Sequence, residues 1–147
     1  MRVYRITTAE WSNKLQASGN VARWNTKGSF VIYTAGSRAL ACLENLVHRS
    51  GEMKGKLYKV MLIEIPENII VQEIPVESLY NDWKNLTNYS YCQNVGANWI
   101  AEGKTAVLKV PSIIIEQEHN YLINPQHADC KQIKLVGVED FGFDARF

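Results

Sequence analysis

Cysteine is scarce and unsuited to stapling the chain. Cys42, Cys92 and Cys130 are odd in number, far apart and without a CxxC pair, which argues against a disulfide scaffold and the usual zinc spacings. The three histidines, His48, His119 and His127, form no HExxH and no i,i+4 pair, so no metal site is expected. No GxGxxG loop marks a dinucleotide-binding domain. Long apolar runs are missing: residues 60–63 and 113–115 fall far short of the roughly 20 residues that span a bilayer. The opening Met1-Arg2-Val3-Tyr4-Arg5-Ile6 lacks the apolar stretch of a signal peptide. A cytoplasmic protein with no membrane partner is the expectation. Neither sign of charge dominates, since 16 basic residues face 15 acidic ones. Nucleic-acid binders carry a basic surplus that tracks phosphates, so no direct nucleic-acid contact is expected.

What remains is the composition of an ordinary folded protein, 46% hydrophobic and 21% charged over 147 residues. No repeat, low-complexity tract or Pro/Gly-rich linker divides it, so residues 1–147 are read as a single domain. The pattern predicts a strand at 3–6, a helix at 9–18 stopped by Gly19, and a strand at 29–34. A second helix follows over 38–49, with Ser37 as N-cap, Leu40, Leu43, Leu46 and Val47 as its buried stripe, and Gly51 beyond its end. A long strand at 56–65 closes on Pro66. Broken helical pieces fill 76–103, and strands follow at 105–110, 112–116, 121–123 and 133–138. Strands and helices lack regular βαβ spacing, which predicts an α+β fold.

Two clusters stand out. The first joins Arg23-Trp24-Asn25, Tyr33-Thr34-Ala35-Gly36-Ser37 and Glu44. The second joins Val110-Pro111-Ser112 and Asn120-Tyr121-Leu122-Ile123-Asn124-Pro125. With Tyr4-Arg5-Ile6 near the start and Phe143-Asp144-Ala145-Arg146-Phe147 at the end, this order resembles the RES domain family, named for an arginine, a glutamate and a serine. Thr26-Lys27 before Gly28, and Cys42 before Leu43-Glu44, depart mildly from its pattern. The resemblance implies a mixed or antiparallel β core flanked by helices, similar to the ADP-ribosyltransferase toxins. It implies the toxin half of a toxin–antitoxin pair that consumes NAD as substrate, with no cofactor. The implied partners are an Xre-type helix-turn-helix antitoxin, in an assembly with the toxin, and inorganic phosphate as an acceptor. Arg23, Tyr33, Glu44, Ser112 and Asn124 match the family's active-site pattern.

The residue types suit that chemistry. Breaking the nicotinamide–ribose bond passes through an oxocarbenium-like sugar, which a carboxylate such as Glu44 can stabilise. Arg23 offers a planar fork to phosphate oxygens, and Tyr33 a ring to stack on nicotinamide. Ser112 and Asn124 can fix phosphate or ribose oxygens. Arg5 is a further phosphate candidate, or an electrostatic anchor for the first strand. Taken without the resemblance, Glu44 reads as a solvated helix residue, Arg23 as a loop charge, Tyr33 as core and Asn124 as a turn former. Trp11, Trp24 and Trp99 are assigned to the core or a cleft rim. The leading expectation is depletion of NAD by phosphorolysis or hydrolysis. Its alternatives are a protein ADP-ribosyltransferase and a non-catalytic partner-binding module.

Overall fold

The structure is a computed structural model that describes residues 1–48 and 55–147. Seven strands, β1 (Arg2–Thr8), β2 (Ile32–Ala35), β3 (Tyr58–Glu64), β4 (Val71–Glu73), β5 (Val107–Pro111), β6 (His119–Ile123) and β7 (Lys134–Phe141), join in one sheet. Their order is β4-β5-β6-β2-β1-β3-β7. Only the β4–β5 pair is parallel, and every other pairing is antiparallel. Among the described residues two α-helices, α1 (Arg38–Val47) and α2 (Tyr89–Glu102), accompany the sheet, with short 3-10 segments between elements. The α+β class expected from the sequence is the class observed.

Side chains alternate between sheet faces, and the register sorts them cleanly. Tyr33 lies opposite Leu122, Ala35 opposite Asn120, and Leu122 and Asn120 opposite Leu108 and Val110. All of these share one face. There α1 buries Leu40 and Ala41 against Ile6, Ala35, Val60 and Leu62. Beside it, α2 buries Cys92 and Trp99 with Trp24, Trp83, Leu108, Val110 and Leu122. The helices therefore cover two halves of one face, and their seam runs over β2 and β6. The opposite face buries Val3, Ile32, Met61, Ile63, Val107 and Ile123 under non-helical segments that include Leu15, Ala17 and Ile133.

α1 begins where expected: the Ser37 side chain accepts from the Leu40 N–H at 3.1 Å, a cap worth about 1 kcal/mol. Leu40 is fully buried, Leu43 and Leu46 are half-buried, and Val47 is exposed, so the stripe is narrower than expected. The expected extension to Arg49 and the stop at Gly51 lie outside the described residues. α2 ends at Gly103, whose left-handed backbone lets its N–H donate to the Trp99 carbonyl.

Two expected elements are replaced, both by side-chain capture of the backbone. In place of a helix over 9–18 there is one 3-10 turn, Ala9–Trp11. The Ser12 hydroxyl donates to the Ala9 carbonyl at 2.7 Å, an acceptor that a helix would pair with the Asn13 N–H, and Arg5 Nη1 donates to the Gln16 carbonyl at 2.7 Å, tying the following segment to β1. In place of a strand over 112–116, the chain turns. The Ser112 hydroxyl accepts the N–H groups of Ile114 and Ile115 at 3.0 and 3.2 Å, diverting donors that a strand would give to a neighbour. The sheet also contains β4, and the chain a 3-10 segment Ala128–Gln132, which the residue pattern does not announce.

Candidate active site

Glu44 follows Leu40 by one helical turn, so both project from the same face of α1. Leu40 enters the core while Glu44 reaches the seam at its edge. Its Oε1 accepts two hydrogen bonds, from Ser112 Oγ at 2.9 Å and from Asn120 Nδ2 at 2.7 Å. Ser112, fully buried just after β5, is held by Ile114, Ile115 and the Glu118 carbonyl. Oε2 of Glu44 makes no hydrogen bond among the described residues.

The second group sits beside it on the same sheet face. Tyr33 stands on β2 two residues from Ala35, the partner of Asn120, which is about 7 Å along a strand. Its hydroxyl donates to Asn25 Oδ1 at 2.5 Å and accepts from the Trp24 N–H at 3.2 Å. Burial pushes the Tyr33 phenol well above its ordinary pKa, partly offset by the Trp24 N–H. It acts at neutral pH as a protonated donor. Asn25 Nδ2 serves the carbonyls of Asn20, Thr26 and Ser29, folding the 20–29 loop on itself.

Arg23 comes from that loop and is only 7% exposed. Its Nη1 donates to the Trp83 carbonyl at 3.0 Å, and the guanidinium lies 4.3 Å over the Tyr89 ring. The guanidinium also hydrogen-bonds the Cys92 side chain, countering the rise that burial gives that thiol's pKa, and its five N–H donors outnumber these partners. α2 holds the loop from behind. Gln93 Nε2 donates to the Ala22 and Asn25 carbonyls, and a Cβ at Gly96 would lie 1.8 Å from the Trp24 carbonyl oxygen. Trp24 and Trp99 are core residues, and Trp11 is half-buried.

Four of the six candidates from the sequence are thus gathered on one face: Glu44 with Ser112, and Arg23 with Tyr33. Arg5 is placed apart. It shares the parity of Val3 on β1, so it projects from the opposite face, where burial lowers its pKa and Gln16 takes its Nη1. Asn124 lies at the other end of β6, about 13 Å from Asn120 along the strand. Its Oδ1 accepts from the Gln126 N–H at 3.0 Å, a turn-forming bond. Asn120 stands in the same motif, but its residue type alone does not single it out. Only the register shows that it shares a face with Tyr33. An open hollow of about 290 Å³, lined by Met1, Ile69, Val71, Lys109 and Tyr121, contains none of the six. The hydrogen-bonded seam, with its buried charged and polar groups, is therefore the stronger site. Among the described residues no group of three or more His, Cys, Asp or Glu can hold a metal ion, and no helix is long and apolar enough to cross a membrane.

A mixed sheet with both helices on one face, and a glutamate held by Ser112 and Asn120 at the seam between them, define an α+β domain with a polar seam. Residues 2–144 match the RES domain, and the chain belongs to the RES domain family. It is 39% identical over 127 residues to the Prs ADP-ribosylating toxin of Sphingobium sp. (strain YBL2), covering 84% of this chain and 78% of that protein. It is 30% identical over 151 positions to Toxin Res of Photorhabdus laumondii, covering 99% and 96%. Its fold matches a chain of the M. tuberculosis MbcT–MbcA toxin–antitoxin complex with a TM-score of 0.74 at 22% identity, over 95% of this chain and 83% of that one.

Proposed function

We propose that the chain is the toxin of a toxin–antitoxin pair that cleaves the nicotinamide–ribose bond of NAD in the cytoplasm, held in check by an Xre-type antitoxin. The observation that carries the reading is the arrangement of Glu44. Among the described residues both of its hydrogen bonds go to Oε1, which leaves Oε2 for a ligand on the sheet face that also holds Tyr33. As the C1′–N bond breaks, its electron pair moves onto the pyridinium nitrogen and nicotinamide leaves neutral. Positive charge then develops on the ribose, where Glu44 stabilises it electrostatically. No acid is needed for a leaving group that begins cationic. The fork of Arg23, with more donors than its two protein acceptors use, suits the diphosphate, and Tyr33 lines the site as a neutral phenol.

Phosphate or water then attacks C1′, forming the new C–O bond, and water gives up a proton as it does so. A protein side chain is the other acceptor, a second reading that the Sphingobium relative, an ADP-ribosylating toxin by name, favours. Incubating the purified protein with NAD, with and without inorganic phosphate and with a bacterial lysate, separates the cases. Nicotinamide release with ADP-ribose or its phosphate ester as the product supports NAD depletion. Label transferred to a protein band supports the second reading, and intact NAD in every arm overturns both.

A further inference from the structure

Asn120 stands in the middle of three paired strands, opposite Ala35 on β2 and Val110 on β5. Its backbone is therefore fixed by the ladder on both sides. Its side chain is split between two unlike environments. Nδ2 donates to Glu44 Oε1 at 2.7 Å, while Oδ1 is fully shielded and has no hydrogen-bond partner, alone among the buried side-chain polar atoms of the described residues. A buried acceptor without a donor is costly. Turning the amide over does not help, because Oδ1 would then face the carboxylate oxygen, acceptor against acceptor. The side chain keeps its orphan because the other end serves Glu44.

We propose that Asn120 is a positioning residue for Glu44, tolerated at a cost to the fold. This rests on the reading of Glu44 given above. Ser112 alone leaves the carboxylate free to swing about one hydrogen bond. With Asn120 as a second donor to the same oxygen, Oε1 is fixed at two points and Oε2 is aimed. A donor on a rigid strand is well suited to that task.

A residue retained for stability and one retained for positioning respond oppositely to truncation. Asn120→Ala removes the orphaned acceptor along with the donor, and Asn120→Asp keeps the shape but sets a second carboxylate against Glu44. Both are measured for kcat and KM with NAD and for thermal unfolding, and Asn120→Ala is crystallised beside the wild type. The expected result is a kcat lower by about 10–100-fold, the scale of a catalytic group misplaced by about 1 Å. KM should stay within about threefold, and the unfolding temperature of Asn120→Ala should be unchanged or higher. In its crystal structure the Glu44 carboxylate should leave Ser112 or lose order. Unchanged kcat, or a large drop in unfolding temperature, would overturn the proposal. If wild-type protein releases no nicotinamide, the functional reading fails, and the crystal structure still decides this one: a Glu44 carboxylate in its original place rejects it.

Discussion

Glu44 carries two unequal oxygens, and the difference sets what its replacement should do. Oε1 is engaged by Ser112 and Asn120, while Oε2 is not. In Glu44→Gln the size is kept and the charge is lost. An amide presents either its oxygen to both donors or its NH₂ against one of them, so the local fold should survive. Surface substitutions usually move stability by only about 0.5 kcal/mol, and a half-buried residue with two partners should lose somewhat more. Turnover should fall by about 10²–10³, the scale for losing one electrostatic stabiliser. NAD binding should hold nearly constant, the mark of a contact made in the transition state. Calorimetric NAD affinity and nicotinamide release, taken on one sample, check the split. Release within twofold of wild type would remove Glu44 from the chemistry. That Glu44 borders the buried stripe is legible in the sequence, because helical spacing places it one turn after Leu40. Asn120 is not legible in the same way, since a polar residue in a strand acquires its meaning only when its neighbours' register is known.

α2 shows how an element can act through what it leaves out. Gly96 in a helix interior costs about 0.5–1 kcal/mol relative to alanine, so helix propensity favours Gly96→Ala. The Trp24 carbonyl forbids it, because the added Cβ would lie 1.8 Å from that oxygen and 2.9 Å from its carbon. The loop carrying Arg23 must move away or the helix must. Gly96→Ala should therefore lower stability by about 1–3 kcal/mol, as overpacking does, and should lower NAD turnover through the displaced Arg23. A thermal-unfolding midpoint equal to or above that of wild type would mean that propensity had won and that the close approach is slack. The elements best foreseen from the pattern are those set by local chemistry. Ser37 caps α1, and the strands expected at 3–6 and 133–138 fall within or across β1 and β7. Those misread, at 9–18 and 112–116, are decided by Arg5, Ser12 and Ser112 spending backbone groups on side chains. Such captures lie beyond any count of hydrophobic periods.

At the scale of the molecule, β6, β2 and β1 occupy the middle of the sheet, while β4 and β7 form its edges. The strands that set Tyr33 and Asn120 are among the central ones. Hydrogen exchange should follow that order, because central strands open only in the costliest fluctuations. Amides of β6 and β2 should exchange slowest, and the three-residue β4 and the outer side of β7 fastest. Mass-spectrometric or NMR exchange showing β4 as protected as β6 would contradict a site resting on the most stable part of the sheet.

The site's defining bonds join residues far apart in the chain. Arg23 and its carbonyl acceptor on Trp83 are 60 positions apart, and Glu44 is 68 from Ser112 and 76 from Asn120. A ribosome adding about 5–20 residues per second needs about 4–15 s to travel from codon 44 to codon 120. Until codon 112 the nascent polypeptide carries its carboxylate and neither of the groups that hold it, and Asn120 follows Ser112 eight codons later. The proposed site is therefore incomplete for most of translation and can close only after β6 has been made.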